Sequence, residues 1–182
     1  TPFMYYGEEI GMRDISVRKD ELQDPVGKRY WPFNKGRDGC RSPMQWSGAD
    51  QAGFTSGKPW LKVHPNFVQR NVENQKADPG SLFNFYRNLL ALRRSQSALQ
   101  NGMFQPLTFE PKQLLAYLRQ DGDETILVAL NFGKRKIKLA LGPRLENAHW
   151  ELLLSNKREK APVMRKGWLP LLSDEVCILK QK

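Results

Sequence analysis

Two adjacent carboxylates, Glu8 and Glu9 in YYGEEIG, are the first residues whose types suit acid–base chemistry. A glycosidic bond is cleaved by two carboxyl groups that flank it, about 5–5.5 Å apart when configuration is retained and wider when it is inverted. Neighbours on a strand project to opposite faces. At most one of the two glutamates therefore points into a site, and the plainer alternative is that one pairs with a basic neighbour at the strand end. The second stretch is GRDGCRSPMQW, Gly36 to Trp46, which has neither the alternation of a strand nor the stripe of a helix. It carries Arg37, Asp38, Arg41 and Trp46 on a loop punctuated by Gly and Pro. Guanidinium and carboxylate groups make directional hydrogen bonds to hydroxyls, and an indole stacks on the apolar face of a sugar ring. No glycine-rich strand-to-helix turn is present, so the mixture suits a carbohydrate better than a phosphate. The same residues also read as a turn pinned by an Arg37–Asp38 network with Trp46 as a packing anchor, and composition leaves both open.

Other reactive residues carry weaker signals. Cys40 has no evident partner His, and Ser42 before Pro43 sits in no nucleophile-elbow pattern. His64 in Val-His-Pro-Asn reads as a hydrogen-bonding loop residue. Cys40 and Cys177 form no CxxC pair, which fits a reduced, cytoplasmic setting. His64 and His149 are the two histidines. With no H-x-x-x-H and no D-x-D-x-D-G, no metal site and no cofactor are expected. The formal charge of +10 is spread evenly, fifteen basic and ten acidic residues over 1–98 against fourteen and nine over 99–182. The densest run, Lys134-Arg135-Lys136-Lys138, alternates with Ile137, Leu139 and Leu141 as the wet face of a half-buried strand. A nucleic-acid partner is therefore not expected, since such binders gather charge on one face. No apolar run reaches the roughly 18 residues that cross a bilayer, and the opening Thr1-Pro2 starts no secretory leader, so no membrane partner is expected.

The elements that must hold these residues follow from pattern. The apolar and aromatic run Pro2–Ile10, closed by Gly11, suits a strand buried on both faces. Met12 to Ala77 lacks sustained periodicity. Unstructured loops beyond about 12–15 residues are uncommon in compact domains, and Tyr30, Trp31, Phe33, Trp46, Phe54, Trp60 and Phe67 argue against disorder. The segment reads as an ordered excursion with short helical or hairpin pieces. Asp78 as N-cap and Pro79 at the first position open a helix, with a stripe of Leu82, Phe85, Tyr86, Leu89 and Leu92. Short strands follow at Met103–Phe109, Leu114–Arg119, Thr125–Phe132, Lys136–Leu141, Trp150–Leu154 and Val176–Leu179. Gln-Asp-Gly-Asp joins the second and third as a hairpin, and the set predicts an antiparallel sandwich.

TPFMYYGEEIGM, GRDGCRSPMQW and GFTSGKPWLKVHPNF, in that order and followed by the helix SLFNFYRNLLALRR, resemble the C-terminal part of glycoside hydrolase family thirteen. This is the α-amylase family, and the likeness is to its α-glucosidase and oligo-1,6-glucosidase branch. It is strong to Leu99 and architectural beyond. The resemblance implies an α+β fragment: the last strand, active-site loop and last helix of a (β/α)8 barrel over residues 1–99, then an all-β sandwich over 100–182. In that fold catalysis occurs at the C-terminal strand ends. The resemblance makes Arg41 the arginine lining the glucose-accepting side of a pocket, borders the entrance with Arg37 and Asp38, and leaves Trp46 beside it. It makes Glu8 and Glu9 supports of the strand end.

The family's nucleophilic Asp, acid–base Glu and stabilising Asp come from earlier strands and have no match here. The implied parent is a retaining α-glucosidase acting on oligosaccharides, with a family isomerase such as a trehalose synthase and a stand-alone carbohydrate-binding module as alternatives. Two positions depart from the branch pattern. Ser42 stands where Thr is commoner, and the insert Met12–Gly36 differs in text, so it is expected to shape which sugar sits beyond the cleaved bond. Lost barrel partners for Phe3–Tyr6 and for Leu82–Leu92 imply self-association.

Overall fold

The computed structural model describes residues 2–107 and 113–182. It divides into two compact units, residues 1–87 and 88–182. The division falls within a helix, since Leu89 and Leu92 pack with the second core.

The first unit is built of short helices. The expected strand over Pro2–Ile10 does not form: Pro2–Tyr5 makes no ladder and Glu8–Ile10 is a 3-10 turn. A strand is held by ladder hydrogen bonds to a neighbouring strand, and the described residues of this unit contain none. Gly7 (φ 87°) and Gly11 (φ 64°) bracket the turn in left-handed backbone, where glycine carries no Cβ penalty. Arg70 Nη1 donates to the carbonyls of Ile10 and Gly11, both at 3.0 Å, and Gln75 Nε2 donates to Ile10 at 2.8 Å. Ile10, Met44 and Val72 form a small core with Met12 and Phe83.

The excursion holds α1 (Pro25–Tyr30) and α2 (Val72–Ala77), with 3-10 turns at Lys19–Glu21, Asp38–Arg41, Asp50–Gly53 and Pro65–Val68. Helix α3 runs Leu82–Ser95 and starts later than expected. Asp78 closes a turn instead, its Oδ1 accepting from the Gly80 amide at 2.9 Å and its carbonyl from Ser81 at 3.1 Å. Ser81 is the cap: its Oγ accepts from the Asn84 amide at 3.1 Å and donates to the Gln75 carbonyl at 2.6 Å. Gly80 lies between the expected and observed starts, and its low helix propensity favours a turn there.

The second unit is the expected antiparallel sandwich. After α4 (Ser97–Asn101) come β1 (Met103–Pro106), β2 (Leu114–Asp121), β3 (Glu124–Asn131), β4 (Ile137–Ala140), β5 (Trp150–Ser155), β6 (Trp168–Leu171) and β7 (Glu175–Gln181). One sheet has the order β1-β2-β3-β7-β5, and the other pairs β4 with β6. The expectation for 108–109, the end of the first predicted strand, lies outside the described residues. The β2–β3 hairpin turns on Gly122 at φ 55°, with Asp121 opposite Glu124. Strand alternation sorts the large sheet's side chains to two faces. Leu118, Leu127, Ala129 and Leu179 join Leu139 and Leu169 of the small sheet in one core. Ile126, Val128 and Ile178 face the other way, onto Ala98 and Leu99 of α4. The sequence reading missed β6, whose Pro170 argues against a central strand but is tolerated in a two-stranded sheet.

Candidate active-site wall

The loop Gly36–Trp46 is held by two buried carboxylates. Asp38, 1% exposed, accepts from the amides of Gln23 (2.6 Å) and Asp24 (2.9 and 3.1 Å). Asp24 caps α1, accepting from the amides of Val26 and Arg37 at 2.9 Å each, and meets Arg37 Nε at 3.4 Å. The Arg37 amide, then that of Val26, holds the Asp24 carboxyl below the usual carboxylate range. Gly36 (φ 68°) passes so close that a Cβ there would lie 2.9 Å from Asp24 side-chain atoms. Asp38 thus turns inward to pin the insert and does not border an entrance. The expected Arg37–Asp38 network is an Arg37–Asp24 pair with Asp38 on backbone amides, and the Arg37 side chain is two-thirds exposed.

Beyond this hinge the chain forms a cleft of about 460 Å³, lined among others by Tyr6, Glu9, Arg41, Trp46, Phe54 and Trp60. Buried Met44 and Leu61 complete its apolar part. Tyr6 Oη donates to the carbonyl of Ser42 at 2.8 Å and lies 3.3 Å from that of Cys40, which clamps the loop beside the Glu8–Ile10 turn. Burial and the adjacent Tyr5 phenol raise the Tyr6 pKa, with Arg41 pulling the other way. Tyr6 is therefore a neutral donor at pH 7. Glu9 Oε2 is buried without a hydrogen-bond partner. Arg41 is exposed and, among the described residues, forms no ion pair.

Trp46 is placed by backbone: its amide donates to Ala52 O at 2.9 Å and its carbonyl accepts from Glu73 N at 3.0 Å. Half of its surface stays open, as does that of Phe54, and 72% of that of Trp60. One carboxylate, one guanidinium, one phenol and three exposed aromatic faces thus converge on one concavity. Such a set binds hydroxylated rings through directional bonds on the ring edge and stacking on its face.

Glu8 lines a separate cleft of about 180 Å³ with Tyr5, Arg13 and Cys40. The two glutamates face different clefts from a 3-10 turn, and among the described residues neither makes an ion pair. The turn itself is held by Arg70 and Gln75, which donate to its carbonyls. Tyr6, Phe54 and Trp60 were not singled out as site residues. Their sequence signal is an aromatic beside Gly or Pro in a stretch without periodicity, as in GFTSGKPW. Among the described residues no group of three or more His, Cys, Asp or Glu is arranged to hold a metal ion, and no helix is long and apolar enough to cross a membrane.

The catalytic domain model of the alpha amylases matches residues 1–102, and the maltogenic amylase C-terminal domain model matches residues 104–167. The chain belongs to the alpha-amylase family, glycoside hydrolase family thirteen. It is 34% identical to the oligo-1,6-glucosidase of Parageobacillus thermoglucosidasius, over 86% of this chain and 31% of that protein. The crystal structure of Bacillus licheniformis trehalose-6-phosphate hydrolase superposes with a TM-score of 0.88 at 27% identity, over all of this chain and 36% of that one. The trehalulose synthase of Pseudomonas mesoacidophila MX-45 superposes with a TM-score of 0.85 at 31% identity, over 100% and 36%. The chain spans about a third of the length of the relatives it matches.

Proposed function

We propose that this chain is the C-terminal portion of a retaining α-glucosidase that releases terminal α-linked glucose from oligosaccharides. The observation that carries the reading is the cleft in which Arg41 and Glu9 meet the exposed faces of Trp46, Phe54 and Trp60. Arg41 and Glu9 hydrogen-bond the hydroxyls of the sugar beyond the scissile bond, and Trp46 covers its face. The nucleophilic Asp and the acid–base Glu of such a reaction have no counterpart in this chain, which supplies the acceptor-side wall and the sandwich domain. Pure chain is expected to leave an aryl α-glucoside unhydrolysed; turnover that survives removal of host enzymes overturns this division of labour.

A second reading, a sugar isomerase, is favoured by the likeness to a trehalulose synthase. Product analysis with the longer enzyme separates the two: maltose yields glucose under hydrolysis and a rearranged disaccharide under isomerisation. A stand-alone carbohydrate-binding module would instead bind maltose saturably with no longer catalytic form.

A further inference from the structure

A further cleft, of about 520 Å³, shares no residue with the one that Arg41 lines. Its lining includes two guanidiniums, Arg13 and Arg70, two carboxamides, Asn66 and Gln69, and one carboxylate, Asp78. Gln75 and Ser81 line it too, but their polar atoms are spent within the chain. Gln75 donates to Ile10 O and accepts from the Phe83 amide, while Ser81 Oγ donates to the Gln75 carbonyl and accepts from the Asn84 amide.

Arg70 is half-buried and fixed by one edge. Its Nη1 donates to the carbonyls of Ile10 and Gly11, at 3.0 Å each. Gly11 permits that approach, since a Cβ there would lie 2.6 Å from Nη1. Among the described residues, Nε and Nη2 have no acceptor, and neither Arg70 nor the exposed Arg13 forms an ion pair. Asn66 is oriented as well. Its Oδ1 accepts from Nε2 of the buried Gln45 at 3.2 Å, which leaves its Nδ2 as a donor. Asp78 Oδ1 accepts from the Gly80 amide, so one partly engaged carboxylate stands against two unpaired guanidiniums.

A held guanidinium with a free edge binds phosphate oxygens in pairs, and it does so more strongly where burial lowers the local dielectric. We propose that this cleft binds a phosphate group. Arg70 is the fork that receives it, Arg13 closes on a second side, and Asn66 and Gln69 donate to the remaining oxygens. The volume lies within the roughly 300–1,000 Å³ of small-molecule sites. It leaves room for the organic body of a small phosphate monoester against the exposed Leu82, with Asp78 accepting from a hydroxyl. This site is independent of the sugar wall, because the two clefts have no residue in common.

The test is the 1H–15N spectrum of the labelled chain, with the arginine Nε–H signals resolved. It is titrated at constant ionic strength with inorganic phosphate, with glycerol 3-phosphate and, as the uncharged control, with glycerol. The Arg70 Nε–H signal should move saturably with both phosphates and stay in place with glycerol. Tighter binding of the ester identifies a phosphorylated metabolite as the occupant, and equal binding identifies free phosphate. Arg13→Gln, at an exposed position, should weaken binding about tenfold, the worth of one hydrogen bond to a charged group. Arg70→Lys keeps the charge and a donor for the turn carbonyls but lacks the fork, and should weaken it by a similar factor. Affinities that both variants leave unchanged would mean that the net charge of +10 alone attracts the anion, and they overturn the site. An Arg70 signal that neither phosphate moves overturns it as well.

Discussion

At the scale of residues, Asp38 and Arg41 stand three positions apart and do opposite work. Asp38 is a buried acceptor for the Gln23 and Asp24 amides, whereas Arg41 reaches an open cleft. Asp38→Ala leaves those amides without their acceptor and is expected to destabilise the chain by about 2–3 kcal/mol. Arg41→Ala, at an exposed position, should stay within about 0.5 kcal/mol of wild type and lose sugar binding. Urea unfolding of both variants checks the pair; a stable Asp38→Ala chain that no longer binds sugar would return Asp38 to the site. The spacing R-D-G-C-R in sequence names both residues but not which way each points. Direction is set by Asp24, whose cap on α1 faces the loop from another segment. Nothing local announces that pairing.

At the scale of elements, the sandwich was legible because short strands recur at regular spacing, β2 and β4 alternate, and the hairpin carries a glycine where the backbone turns left-handed. Leu127 faces the core between the sheets with none of its surface open. Leu127→Ala is expected to cost about 2–5 kcal/mol in unfolding free energy. Less legible was the anchor at the start of β7. Glu175, 1% exposed, accepts from Arg158 Nη2 at 2.8 Å, from the Leu172 amide and from Ser155 Oγ. Burial alone would raise its pKa, but Arg158 and the Leu172 amide outweigh burial and hold it below the ordinary value.

A depressed carboxylate stabilises the fold above the unfolded-state pKa, about 4.3, and that contribution is lost as pH falls through the folded-state value. Acid unfolding should therefore steepen below about pH 4. Glu175→Gln should flatten part of that slope and, by leaving Arg158 unpaired, destabilise by about 3 kcal/mol at neutral pH. An unchanged pH profile in the variant would contradict the assignment. The strand expected over Pro2–Ile10 failed for the converse reason: its apolar run fits a buried strand, yet pairing depends on partners that the run itself cannot supply.

At the scale of the whole molecule, large apolar side chains stand exposed along the chain, Phe33 and Phe132 among them, and four consecutive ones open it. Phe3 is 95% exposed, and Met4, Tyr5 and Tyr6 lie open beside it, with Leu82 of α3 also exposed. Contiguous exposure of this kind drives association. We expect the purified chain to sediment above 21.0 kDa with a concentration-dependent weight, and Phe3→Asp to lower it; a single 21.0 kDa species at every concentration would contradict this. The family membership was readable from three motifs in order, since each couples several residues at set spacing. The cleft was only partly readable, because Tyr6, Arg41 and the pair Phe54 and Trp60 come from three separate stretches that only folding brings together.

The central claim is that Arg41 and its aromatic neighbours form a wall for an α-linked glucose unit. Its most direct test is a maltose and isomaltose titration followed at the Trp46 indole signal, in wild type and in Arg41→Ala. A saturable shift is expected with at least one of the two sugars in wild type, and its loss in the variant with the fold intact. A signal that neither sugar moves, or one that moves equally without Arg41, would contradict it.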